Sequence, residues 1–142
     1  YNSAYYNNYT NYLYGYGNTI NNTDPANRHR IIKFRLPRLS DGEFITLRPE
    51  DALENYTIEE VSGFSSNPIG QGLDIRGTKL YMPTGLGYSE YPSILYVWDL
   101  RKHTMEVVDL STATKGELED VSVLGRGKML LQSQDGLFVV EL

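Results

Sequence analysis

Cysteine is absent from the 142 residues. That excludes disulfides, thiolate zinc sites and cysteine nucleophiles, and it leaves the redox compartment open. No apolar run approaches the ~20 residues that a membrane-spanning helix needs. Bases are outnumbered, 13 against 18 acids for a formal charge of −5. A nucleic-acid surface would need a basic stripe, so that partner class is set aside. The chain opens on Tyr1 and shows no secretory-leader pattern, so none is expected within these residues. The expectation is that something was removed upstream or that this is a piece of a larger protein. Among catalytic motifs, the Gly-x-Ser-x-Gly elbow, the Walker loop, the dinucleotide glycine pattern and His-Glu-x-x-His are all lacking. No segment carries a sustained i, i+3, i+4 apolar stripe.

What is present is a series of short β-like runs between turn signals. They include Ile31 to Leu36, Phe44 to Leu47 after the turn Ser40-Asp41-Gly42, Leu73 to Ile75 and Lys79 to Met82. Ile94 to Leu100, Met105 to Leu110, Val121 to Leu124, Lys128 to Gln132 and Leu137 to Leu142 follow. Short strands about 8–12 residues apart, rich in Val, Ile, Leu and Tyr, predict an all-β protein. The best helical candidate is Pro49 to Tyr56, PEDALENY, with Pro and two acids at a possible N-terminus. Residues 1–28 differ from the rest, with seven of the twelve tyrosines and eight asparagines. Within them Tyr12, Tyr14 and Tyr16 recur at strand spacing.

Two stretches repeat. Ile94 to Leu100 reads ILYVWDL and Gly136 to Leu142 reads GLFVVEL. Walking backwards, Gly70 to Ile75 falls on Leu118 to Val123, and Gly77 to Tyr81 on Gly125 to Leu130 with one residue inserted. Each unit is strand, glycine turn, strand, loop, strand, and the first adds a fourth strand, MEVVDL. IIKFRLP and NYLYGYGN match the third and second strands of an earlier unit, with FITL as its fourth. A four-stranded unit of about 40–50 residues that repeats is the mark of a propeller blade. The expected fold is a β-propeller fragment of about two and a half four-stranded blades. Its expected parts are blade portion 1–47, insertion 48–68, blade 69–110 and partial blade 116–142. The chain would then start on a second strand and stop on a third, as the C-terminal portion of a longer propeller. Too few blades for a ring imply a partner: the remainder of the propeller, or self-association.

The cadence QGLDI, KLYM, SILYVWDL, MEVVDL, ELEDVSV and GLFVVEL resembles secreted bacterial β-propellers of the TolB-like and teichoic-acid-protein-like kind, six-bladed in form. The likeness spans residues 31–142. It implies a secreted, periplasmic or cell-surface location. The Trp98-Asp99 dipeptide gives a second resemblance, to WD-repeat propellers. However, Gly-His elements are absent, and Val140-Glu141 stands where the repeat would need Trp-Asp.

Candidate binding residues follow from that layout. Gln71 and Glu119 open equivalent innermost strands, with Asp120 beside Glu119. In a ring such residues converge on a channel and could hold Ca²⁺ or a polar ligand. Alternatively they satisfy neighbouring strand starts. Arg28, His29 and Arg30 form a basic triplet at a strand entrance, suited to an anion or to plain solvation. Tyr88 and Tyr91, in GLGYSEYPS, offer flat rings with hydroxyls for sugar or protein recognition, as does the Tyr/Asn segment. The same tyrosines could simply pack between blades. Trp98 is expected in the core and His103 in an exposed turn. The expected function is non-catalytic binding of a glycan or a protein. The alternatives are a polysaccharide lyase or hydrolase at the channel mouth, and a WD-type intracellular scaffold.

Overall fold

A computed structural model of the chain describes residues 3–7, 11–17, 30–58 and 71–141. These form three antiparallel sheets and no α-helix among the described residues. The first sheet holds β1 (Ser3–Asn7), β2 (Tyr12–Gly17), β3 (Arg30–Arg35) and β4 (Glu54–Thr57), paired in chain order. The second holds β5 (Asp74–Arg76), β6 (Lys79–Thr84), β7 (Ile94–Asp99) and β8 (Thr104–Asp109), again in chain order. The third holds β9 (Leu118–Gly125), β10 (Lys128–Ser133) and β11 (Gly136–Glu141). Among the described residues the sheets do not join into a closed barrel.

Successive sheets meet face to face, and their first strands lie side by side, β1 against β5 and β5 against β9. Side chains alternate between the two faces of a strand. In the second sheet both faces are apolar and both are covered. Leu80, Met82, Tyr96 and Trp98 pack on Tyr14, Tyr16 and Ile31 of the first sheet. Leu95 and Val97 pack the other way, on Val121, Met129 and Leu131 of the third. The tyrosine stripe of β2 is therefore core: Tyr14 and Tyr16 are buried, not displayed.

Trp98 is buried, as its repeat position requires, and its indole N–H donates to the Tyr56 hydroxyl at 2.9 Å. His103 does occupy an exposed turn, with φ 54, yet its ring stacks on Tyr56 at 5.3 Å between centroids. The Asp of the WDL triplet has a local task. Asp99 accepts from the backbone N–H groups of Lys102 and Arg101, each at 2.9 Å, and so closes the turn into β8. Those bonds hold its carboxyl below the usual carboxylate range.

Three expectations are corrected. The first sheet begins with its own first strand, β1, where the sequence pattern started at a second strand. A run of Tyr, Asn and Ser hides strand character, because its pairing with β2 supplies what its composition does not. Phe44 to Leu47 is not a strand, and Phe44 is 89% exposed. The fourth strand is Glu54–Thr57, inside the stretch assigned to an insertion. It pairs Tyr56 with Ile31 and Asn55 with Ile32. Lys33 Nζ lies 2.6 Å from Glu54, and Arg30 donates to Asn55 at 2.6 Å. Cross-strand polar pairs, invisible to a hydrophobic pattern, thus select β4. PEDALENY, expected to make one or two turns within the insertion, makes a single 3-10 turn, Pro49–Asp51, before the chain extends at Ala52. The Asp51 carboxylate accepts from the Arg48 N–H at 3.1 Å, and Asp41 does the same for Arg38 in the matching turn Leu39–Asp41.

Two outcomes follow. Leu95 and Leu137 share a repeat position, but Leu95 is 0% exposed and Leu137 67%. Urea unfolding should show Leu95→Ala losing about 2–5 kcal/mol and Leu137→Ala within about 0.5 kcal/mol of the parent. Burial pushes the Tyr56 hydroxyl up to about 12 from 10.0, against the opposing bond from Trp98. The folded chain keeps this proton while the unfolded chain releases it. The Tyr56 contribution should therefore be flat below pH 10 and fade as pH rises towards 12. Spectrophotometric titration of Tyr56→Phe should lose one late-ionising phenol.

Candidate functional site

The first strands of the second and third sheets, β5 and β9, start at a common end, where loops gather. Three features bring their backbones close. The Asp74 side chain is buried, taking the Ile75 N–H at 2.7 Å and, across the sheets, the Val123 N–H at 2.5 Å. One carboxylate thus fastens β5 to β9. Gly72 lies so near Asp120 that a Cβ would stand 2.6 Å from the Asp120 Cα. Gly87, at φ +83, is equally confined: a Cβ there would meet the Lys115 carbonyl oxygen at 2.1 Å. Only glycine fits both the contact and that backbone conformation.

Gln71 lies on this end and donates its amide to the Glu117 carboxylate. Gln134, in the β10–β11 turn, donates to the other oxygen of Glu117 at 3.0 Å. Its backbone N–H also reaches the Glu117 carbonyl at 3.0 Å. Glu117 is therefore clasped by two amides from two sheets. Glu119 follows it at half-burial, and Asp120 is exposed, with Oδ1 accepting the Val121 N–H at 2.9 Å. The expected pair of Gln71 and Glu119 is thus partly replaced: Gln71 bonds two residues earlier, to Glu117. Residues 117 and 119 share one strand face by the two-residue period, so the acid-rich run ELED already held the signal. Among the described residues no group of three acidic or histidine side chains converges to hold a metal ion.

Beside the clasp, the loop Leu110–Gly116 is locked to the β10–β11 turn by side chains. Ser133 and Thr114 hydroxyls lie 2.9 Å apart, Thr114 donates to Asp135 at 3.0 Å, and the Asp135 N–H donates to Ser133 at 3.0 Å. Thr114 also accepts the Gly116 N–H at 3.0 Å. With its proton committed to Asp135, Thr114 must accept from Ser133, so the three bonds form a directed circle. Buried hydroxyls are satisfied in this way.

Tyr88 and Tyr91 sit on the neighbouring β6–β7 loop. They are bridged through the Tyr91 N–H to Tyr88 C=O bond at 3.0 Å, with rings edge-to-face at 5.7 Å. Tyr88 is half exposed. The loop is fixed to the clasp by the Leu118 N–H to Gly85 C=O bond, 3.3 Å. The structure thus gathers Gln71, Tyr88, Tyr91, Glu119 and Asp120 at one end. Arg30 is not among them, being engaged with Asn55 on the first sheet, and Arg28 and His29 lie outside the described residues. Comparison with protein-family models, curated proteins and solved structures finds no match for the chain.

Asp74→Ala should destabilise by about 1–3 kcal/mol, because it strands the half-buried Val123 N–H. Gln71→Ala should cost less than about 1 kcal/mol, since that bond is exposed to water. Chemical unfolding of both variants checks the order.

Proposed function

We propose that the three sheets are consecutive blades of a β-propeller and that the protein is a binding module of the cell envelope or exterior. The observation that carries this reading is the contrast in burial between equivalent repeat positions of the second and third sheets. Leu95 and Val97 of the second sheet, at 0% and 3% exposure, are covered by the third sheet. Their equivalents Leu137 and Val139, at 67% and 64%, stand on the outer face of the third sheet. A surface of this kind takes a partner, and the repeat defines its shape: one more sheet, carried by further blades or by a second copy. Side-by-side first strands agree with a radial stack, in which each blade needs a neighbour to bury its face. The resemblance of residues 31–142 to secreted bacterial propellers supports the location.

Binding is assigned to the loop end. The exposed Tyr88 ring, the Gln71 and Gln134 amides and the Glu119 and Asp120 carboxylates offer a flat apolar surface beside many donors and acceptors. That mixture suits the hydroxyls and ring faces of a glycan. Both oxygens of Glu117 accept from amides, which makes it a positioning group rather than a free base.

Light scattering tests the blade reading. The chain should exceed its own 16.2 kDa as a defined assembly, and Leu137→Glu/Val139→Glu should return it to monomer. A parent chain that is a stable monomer would overturn it. On a glycan array, binding that Tyr88→Ala abolishes would support the loop end. Unchanged binding by that variant would move the site elsewhere.

A further inference from the structure

The opposite ends of β5 and β9 carry a groove that the loop-end reading does not use. It lies between the second and third sheets and has a volume of about 370 Å³. Its position follows from two hairpin turns. Gly77-Thr78 joins β5 to β6, and Arg126-Gly127 joins β9 to β10 with φ of 54 and 76. Positive φ at both central residues is the type I′ arrangement. It aims Arg126 away from the ladder and into the groove wall.

The lining is basic in a protein of net negative charge. Arg76, Lys79, Arg126 and Lys128 face Glu106 as the one carboxylate of the wall. The two lysines are already engaged, Lys79 with Glu106 at 2.8 Å and Lys128 with Glu141 at 3.4 Å. The two arginines form no ion pair among the described residues, and both are exposed. Arg76 crosses from the second sheet towards the third. Its guanidinium lies over Gly125, where a Cβ would stand 3.5 Å from the terminal nitrogen. A glycine at φ +95 keeps that space open. Tyr81 forms a half-buried wall, and burial pushes its hydroxyl up, so it stays a neutral O–H donor.

We propose that this groove binds an oxyanion carried on a saccharide-sized body, a uronic or sulfated sugar, with Arg76 and Arg126 as its two cationic arms. Guanidinium presents paired N–H donors that match carboxylate and sulfate oxygens. The groove exceeds what a bare ion needs, a water occupying about 30 Å³. The remainder, beside the Tyr81 ring, fits a sugar face. The site is made wholly by the second and third sheets, so it does not depend on further blades.

The test is a titration of the full chain at low ionic strength with sodium sulfate and, separately, with glucuronate. It is followed by calorimetry and by amide NMR shifts of Gly125 to Lys128. Saturable binding is expected, with shifts centred on that turn. The Arg76→Gln/Arg126→Asn variant, whose exposed positions leave the core intact, should bind about tenfold more weakly or worse. Arg101→Gln, outside the groove, should bind as the parent. Equal affinity for the two probes would overturn the saccharide part of the proposal, because charge alone would then be read. Tighter glucuronate would place the sugar ring on Tyr81. Absence of saturable binding for both probes, or equal weakening by Arg101→Gln, would overturn the proposal.

Discussion

The second sheet has two apolar faces, and the rest of the molecule follows from that. From Leu95 to Asp99 every residue of β7 is buried. A strand buried on alternate residues needs one cover, whereas a strand buried throughout needs two. The first and third sheets are those covers. Each contributes roughly 1.5–3 kcal/mol for every large side chain it removes from water. The stacking order is thus set by burial, and the loops only have to permit it.

Permission is granted by small residues and one acid. Gly72 and Gly87 let backbones approach where any side chain would collide, and Asp74 satisfies an amide in each of the two sheets it joins. A buried carboxylate with well-placed donors is far better tolerated than an unpaired one. The loop end is consequently rigid where it meets the core and polar where it meets solvent. Tyr88 and the Gln71–Glu117–Gln134 clasp stand on that base.

Much of this was legible in the sequence. The all-β character and the strands of the second and third sheets follow from alternating apolar residues and glycine turns. The pairing of ILYVWDL with GLFVVEL locates Trp98 opposite Val140 in the repeat, and both face inward. The first sheet was less readable. β1 and β4 are polar and owe their pairing to neighbours, including the Lys33–Glu54 and Arg30–Asn55 contacts. Phe44 to Leu47 has strand composition but no strand to join. In the site, Gln71 and Glu119 were visible as strand openings and Glu117 lay in the same acidic run, but its bonds to Gln71 and Gln134, 46 and 17 residues away, were not. Long-range polar pairs of this kind leave no periodicity behind.

The circle of Ser133, Thr114 and Asp135 has a further consequence for how this end of the molecule breathes. The amide protons of Lys115, Gly116 and Asp135 are held by side-chain oxygens, outside any sheet ladder. Of the three, only the Lys115 N–H to Asp135 bond crosses from the Leu110–Gly116 loop to the hairpin, so exchange of that amide with solvent deuterium reports undocking of the loop and not opening of β9 or β10. The Gly116 and Asp135 amides bond within the loop and within the hairpin turn respectively, and report the local order of each. The loop end thus possesses its own opening equilibrium, separate from global unfolding, in the same segment that borders the tyrosine rim.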